Sequence, residues 1–111
     1  MERLLQNTDY VSPFLFELSD FAGKRWNLRV LWELRNRKTM RYNELLESMK
    51  GISPSTLADV LKNLQKESLI KRSSHGKAPP YRVEYKITKS GLDLIIASSY
   101  LVKWAIKKKK H

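Results

Sequence analysis

Between Gly51 and Thr88 the chain carries strong helix-start signals that run into two alternating segments around a Pro-Pro pair, and this order of local signals leaves few architectures open. Gly51 ends what precedes it, Ser53 is a capping residue, and Pro54 supplies a preset φ at the first helical position. The spacing predicts a helix from Pro54, with Leu57, Leu61 and Leu64 as its buried stripe and Ser55, Thr56, Asp59, Lys62 and Asn63 on its other faces. Leu69 to Ser73 and Arg82 to Ile87 alternate as strands do, and Gly76, Pro79 and Pro80 between them predict a hairpin with a long tip. Lys71, Arg72, Lys77, Arg82 and Lys86 line that hairpin, with Glu84 its only acid.

A polar first turn followed by a cationic hairpin has two readings. Short hydroxyl and amide side chains suit close entry into a major groove, and a basic wing reaches phosphates beside it. The alternative is an ordinary solvated helix face with a solubilising hairpin. Overall charge favours the first: 22 Lys and Arg stand against 11 Asp and Glu, a net +11 with a sequence pI near 10.0, which points to a polyanionic partner, double-stranded nucleic acid first. The Lys107 to Lys110 run reads as a frayed solubilising tail, and without it the balance is still +7.

The 111 residues suffice for one modest core, so residues 1–111 are expected to form a single domain. Ser12-Pro13 is expected to open a short aromatic helix through Phe14, Leu15, Leu18 and Phe21, and a second helix runs from Lys24 to about Asn36. Lys38-Thr39-Met40 reads as a brief extended link. Tyr42 to Met49 makes a third helix, joined through Lys50-Gly51-Ile52 by a connection of helix-turn-helix length, so residues 42–67 are the helix-turn-helix and 69–88 the wing. From Lys89 to about Lys107, Ile96, Tyr100, Leu101, Trp104 and Ile106 put apolar side chains on most faces of one last helix. A partner subunit is the economical cover, which predicts a two-fold dimer interface of Phe14, Leu18, Phe21, Ile96, Tyr100 and Trp104 on residues 12–22 and 89–107. The alternative is a monomer that packs these two helices on each other.

No cysteine is present, which excludes disulfides, thiolate metal sites and thiol sensing. No apolar run is long enough to span a bilayer and the first residues lack a secretory layout, so a soluble cytoplasmic protein without membrane contact is expected. His75 and His111 stand alone, Glu44 and Glu47 have the spacing of a solvated helix face, and no phosphate-cradling loop or nucleophile elbow occurs. These observations predict no enzyme, no catalytic residue, no metal and no cofactor. His75 is expected near the wing tip, close to DNA.

Several strings, in order along roughly Ser12 to Trp104, resemble the HxlR-type family of winged helix-turn-helix transcriptional regulators, within the MarR-like superfamily. They are Trp26 with Leu28, Leu31-Trp32-Glu33-Leu34, Tyr42-Asn43-Glu44-Leu45, Gly51-Ile52-Ser53-Pro54, Leu57 with Leu61, Pro79-Pro80 followed by Arg82-Val83-Glu84-Tyr85, and Ile87-Thr88-Lys89-Ser90-Gly91. The resemblance implies a mainly α fold with a small β-hairpin wing, dimerising through N- and C-terminal helices and regulating transcription from a pseudo-palindromic operator. Its recognition helix would present Ser53, Ser55, Thr56, Asp59, Lys62 and Asn63, and its wing and flanks Lys71, Arg72, His75, Lys77 and Arg82. The competing reading is a winged-helix module that binds another protein of the transcription machinery.

The chain departs from relatives at Asp59 and Val60, at Lys24-Arg25 and Arg29, and at Tyr81, an added wing residue. Asp59 could accept from a cytosine amino group, but favouring its own helix's N-terminal turns is the simpler role, and Val60 is expected to pack partly inward. Lys24, Arg25 and Arg29 are candidates for phosphate contact, with a solvated face as the default. Phe14, Phe21, Trp26, Trp32, Tyr100 and Trp104 are expected to pack as an aromatic core, the alternative being a pocket at the dimer interface for an effector of unknown chemistry. The operator, the sign of regulation, the regulated genes and the role of residues 107–111 are not encoded in readable form.

Overall fold

A computed structural model describes residues 2–109; Lys110 and His111, the end of the basic tail, lie outside the described residues. The elements in order are α1 (Glu2–Gln6), α2 (Thr8–Gly23), α3 (Asn27–Leu34), α4 (Tyr42–Ser48), α5 (Pro54–Lys66), β1 (Ile70–His75), β2 (Arg82–Ile87) and α6 (Lys89–Lys109).

The start of α5 is where the local signals place it. The Ser53 hydroxyl accepts the Thr56 amide at 3.1 Å and donates to the Thr56 hydroxyl at 2.8 Å, which satisfies an otherwise orphaned donor of the first turn. Leu57, Leu61 and Leu64 are fully buried or nearly so, against Val30, Leu31 and Leu34 of α3 and Leu45 and Met49 of α4 in the same core. Two residues past the end of α5 at Lys66, Ser68 takes a left-handed φ of 60°. Its amide donates to the Gln65 carbonyl and the next amide, of Leu69, donates back to Leu64, both at 3.0 Å. This paired closure of the last turn turns the chain directly into β1.

The strands β1 and β2 pair antiparallel with Ile70 opposite Ile87 and His75 opposite Arg82. Met40, in the expected extended link, joins as a single bridge to Tyr85, with amide–carbonyl bonds of 2.9 and 2.8 Å in the two directions. The bridge seats Met40 in the core and fixes the start of α4 beside the base of the hairpin. Gly91, in the first turn of α6, lies against the strand ends. A Cβ there would collide with the Leu69 carbonyl oxygen and stand 2.6 Å from Ile87 Cγ1, so α6 packs this closely only because the side chain is missing.

Four expectations are corrected. The first long helix starts at Thr8, not at Ser12-Pro13: the Asn7 side chain accepts the Tyr10 amide at 3.3 Å, and Pro13 sits inside α2. Proline there removes one helical bond on a helix that buries no residue, where its carbonyl partner can face water. Secondly, α3 spans only Asn27–Leu34, because Lys24 is extended and the chain after Leu34 tightens through i to i+3 bonds from Arg35 and Arg37. In the third case β1 continues to His75, past the expected end at Ser73, and shortens the hairpin tip. Finally, the aromatic set does not form a core. Phe14, Trp32, Tyr100 and Trp104 are 50–72% exposed, Phe21 and Trp26 are half-buried, and the interior is filled by leucine, isoleucine, valine and methionine with Tyr85.

Replacing Gly91 with alanine is expected to destabilise the domain by about 1–3 kcal/mol despite alanine's better helix propensity, because backbone at Leu69 has to move. Urea unfolding of the two proteins checks this; equal midpoints would mean that α6 shifts freely on the strands.

Candidate nucleic-acid interface

Burial of the leucine stripe sends Ser55, Asp59, Lys62 and Lys66 to the opposite, exposed side of α5. Ser53 and Thr56 are close by, but their hydroxyls are engaged with each other in the cap, and Ser55 Oγ lies 3.3 Å from Ser53 Oγ. Asn63 is not part of this row. It is half-buried on the flank of α5, lining a cleft against α2 with Phe14, Leu18 and Phe21, because six residues beyond Leu57 the helix has turned it toward that side. Lys66 was missed by sequence reasoning, although its spacing from Asp59 and Lys62 gave the signal. Val60 packs partly against the core, while Asp59 is exposed.

The hairpin register sorts the wing residues. Lys71 faces Lys86 directly, and His75 faces Arg82. Two like charges opposite each other on one face repel, so a polyanion laid against them relieves a cost built into the hairpin. Lys77 sits exposed in the tip beyond Gly76, whose φ of 120° suits only glycine. Arg72 donates to the Ser74 hydroxyl at 3.3 Å. Arg82 is different: its Nε donates to Glu84 Oε1 at 2.6 Å, and His75 Nε2 lies 4.0 Å from the other carboxylate oxygen. Those are the ion pairs among the described residues, so Lys71, Arg72 and Lys77 keep uncompensated charge whereas Arg82 is largely committed to Glu84.

The hydrogen bond from Arg82, helped by the Thr39 side chain, holds the Glu84 carboxyl below its ordinary pKa range, against the opposing effect of burial.

Three further features complete the surface. The Tyr42 hydroxyl donates to the Pro54 carbonyl at 2.7 Å and so ties the start of α4 to the start of α5. Arg41, just before α4, lines an open groove with Tyr81 and Arg82 of the hairpin, which brings one more cation between helix and wing. Arg25 and Arg29 both lie over the Trp26 ring, at 5.0 and 4.7 Å, and Trp26 reaches to 3.9 Å from where a Gly51 Cβ would be. Gly51 itself has a φ of 93° in the turn that enters α5.

Among the described residues, no group of three His, Asp or Glu side chains could hold a metal ion and no helix is long and apolar enough to cross a membrane. The arrangement is one of surface cations and outward polar side chains, suited to binding a charged polymer.

Comparison with known proteins agrees. The HxlR-like helix-turn-helix family matches residues 21–111. The uncharacterised HTH-type transcriptional regulator YdzF of Bacillus subtilis is 39% identical over 95 residues, covering 86% of this chain and 85% of that one. A MarR-family transcriptional regulator of Enterococcus faecalis V583 superposes with a TM-score of 0.79 at 29% identity, covering 89% and 88% of the two chains. The reduced form of the regulator YodB from B. subtilis superposes at 0.75 with 28% identity over 84% and 89%.

Because its folded pKa lies below the unfolded one, Glu84 contributes stability that is present above the ordinary glutamate range and is lost as pH falls through the folded value. Glu84→Gln is therefore expected to flatten the acid limb of the melting-temperature profile below about pH 4.3 and to leave its shape between pH 6 and 8 unchanged. An acid limb identical in the two proteins would show that the Arg82 pair does not form in solution.

Proposed function

Because the chain belongs to the HxlR-like helix-turn-helix family, and is thus a DNA-binding transcriptional regulator and no enzyme, we propose that it binds a pseudo-palindromic operator as a homodimer in the cytoplasm. The observation that carries this reading is the juxtaposition of an outward polar row on α5 with a hairpin whose lysines have no acid partner. Ser55, Asp59 and Lys62 enter the major groove, with Ser53 and Thr56 bracing the first turn. Lys71, Arg72 and Lys77 follow the backbone, with His75 and Arg82 at the tip end of the two strands and Arg41 between helix and wing. Asn63 keeps a peripheral place, on the flank that faces α2.

The dimer is supported by where the uncovered apolar surface lies. Of fourteen exposed large apolar side chains among the described residues, five are on α2 and six on α6, including Phe14, Leu18, Ile96, Tyr100 and Trp104. Such concentration on two terminal helices is what a shared interface leaves bare when one copy stands alone. Half-sites would then lie about 34–36 Å apart.

The test is binding to the intergenic DNA upstream of the chain's own gene against random duplex across a salt series. A salt-sensitive preference for the upstream fragment, protected as paired half-sites, is expected. Lys71→Gln and Lys77→Gln should each lower affinity on every sequence and reduce the log–log salt slope by roughly 0.9. Ser55→Ala and Lys62→Ala should instead erode the preference. Equal weak binding to both fragments, with no change in slope, would reject the assignment.

A further inference from the structure

The helix α6 buries only Gly91 and Ile95, both in its first two turns. From Ile96 to Lys109 it continues for about 21 Å without a buried residue, with Ser98, Leu101 and Val102 still bordering α3 and the turns beyond them uncovered. Along this stretch Tyr100, Trp104 and Ile106 are 72%, 62% and 52% exposed, interspersed with Lys103, Lys107, Lys108 and Lys109. The ammonium of Lys103 lies 5.5 Å from the Tyr100 ring centre, and that of Lys108 lies 5.1 Å from that of Trp104. Each ring therefore carries a cation over its face.

The opposite pattern occurs elsewhere on the same chain. A cleft of about 400 Å³ opens between α2 and the end of α5, floored by Phe14, Leu18 and Leu94 and rimmed by Glu17, Asp20 and Glu67, with Lys24 at one end. None of the three acids forms an ion pair among the described residues. An apolar floor with a carboxylate rim matches a helix end whose exposed rings are accompanied by ammonium groups.

Resting on the homodimer reading, we propose that the lysine-rich end of α6 seats in this acidic cleft of a second copy, so that two reciprocal charged clasps close the dimer. A chain cannot fill its own cleft. Its α6 already passes the site at Leu94, and Lys107 lies thirteen residues further along an unbroken helix, about 20 Å away. A second copy supplies both halves again, as a two-fold arrangement requires. The lysine end is then a subunit contact, in place of the solvated tail that its composition alone suggests.

Sedimentation equilibrium of the full chain, at low and high salt, tests the clasp with two charge-reversed proteins, Glu17→Lys/Asp20→Lys and Lys107→Glu/Lys108→Glu. All four positions are exposed, so the reversals leave the core untouched. Alone, each is expected to weaken the dimer roughly tenfold or more at low salt, since two clasps are opposed at once. Mixed in equal amounts, the two should restore wild-type affinity, because in the mixed dimer both clasps again join opposite charges. High salt should weaken the wild type and narrow the differences. Wild-type affinity in the separate reversals, or no restoration on mixing, would overturn the clasp and leave the dimer standing. A wild-type chain that stays monomeric at all concentrations would overturn the dimer itself.

Discussion

The structure depends on one helix serving two surfaces at once. The leucines of α5 at positions 57, 61 and 64 are held in a core built from α3, α4 and the strand ends, and this fixes the rotation of the helix about its axis. Each fully buried leucine is worth roughly 1.5–3 kcal/mol of transfer free energy, so rolling α5 by even one residue would forfeit several kcal/mol. That penalty aims Ser55, Asp59 and Lys62 outward. The polar row is thus oriented by packing on the far side of the helix, and the Tyr42 bond to the Pro54 carbonyl pins the same end from outside the core.

Elements whose limits are set by short-range chemistry were legible in the sequence. Ser53-Pro54 gave the start of α5 to the residue, and alternation gave β2 over Arg82–Ile87 without error. Limits set by context were not. Pro13 reads as a helix start, yet it lies within α2, since an uncovered helix tolerates one missing bond and Asn7 provides the cap. Spacing grouped Asn63 with the groove-facing residues, but its location beside α2 depends on a helix packed from far away in sequence. Composition could count the hairpin's cations without showing that Arg82 is tied to Glu84, although a spacing of two positions on one strand puts both on one face, while the approach of His75 to the same carboxylate depends on the hairpin register.

The aromatic residues show how far hydrophobicity alone can mislead. In a chain of this length six large rings suggest a core, but the interior is already filled by aliphatic side chains from α3 to β2. Trp26 is held against the turn at Gly51 beneath two arginines, and Trp32 lies under the Arg35 guanidinium at 3.5 Å, so cations shield the parts of these rings that the core leaves uncovered. Apart from half-buried Phe21, the rings of α2 and α6 remain outside, on the two helices that account for most of the uncovered apolar surface.

The left-handed Ser68 has a mechanical consequence. It is the pivot between the last turn of α5 and β1, with both neighbouring amides bonded back into the helix and its own carbonyl accepting the Thr88 hydroxyl at 2.7 Å. There is no slack in that joint. Helix and hairpin therefore behave as two jaws of a fixed caliper, set to a single gap between groove floor and flanking strand. A duplex whose groove is too wide or too narrow has to deform to fit, and the sequence dependence of that deformation becomes a means of discrimination that needs no side chain on a base.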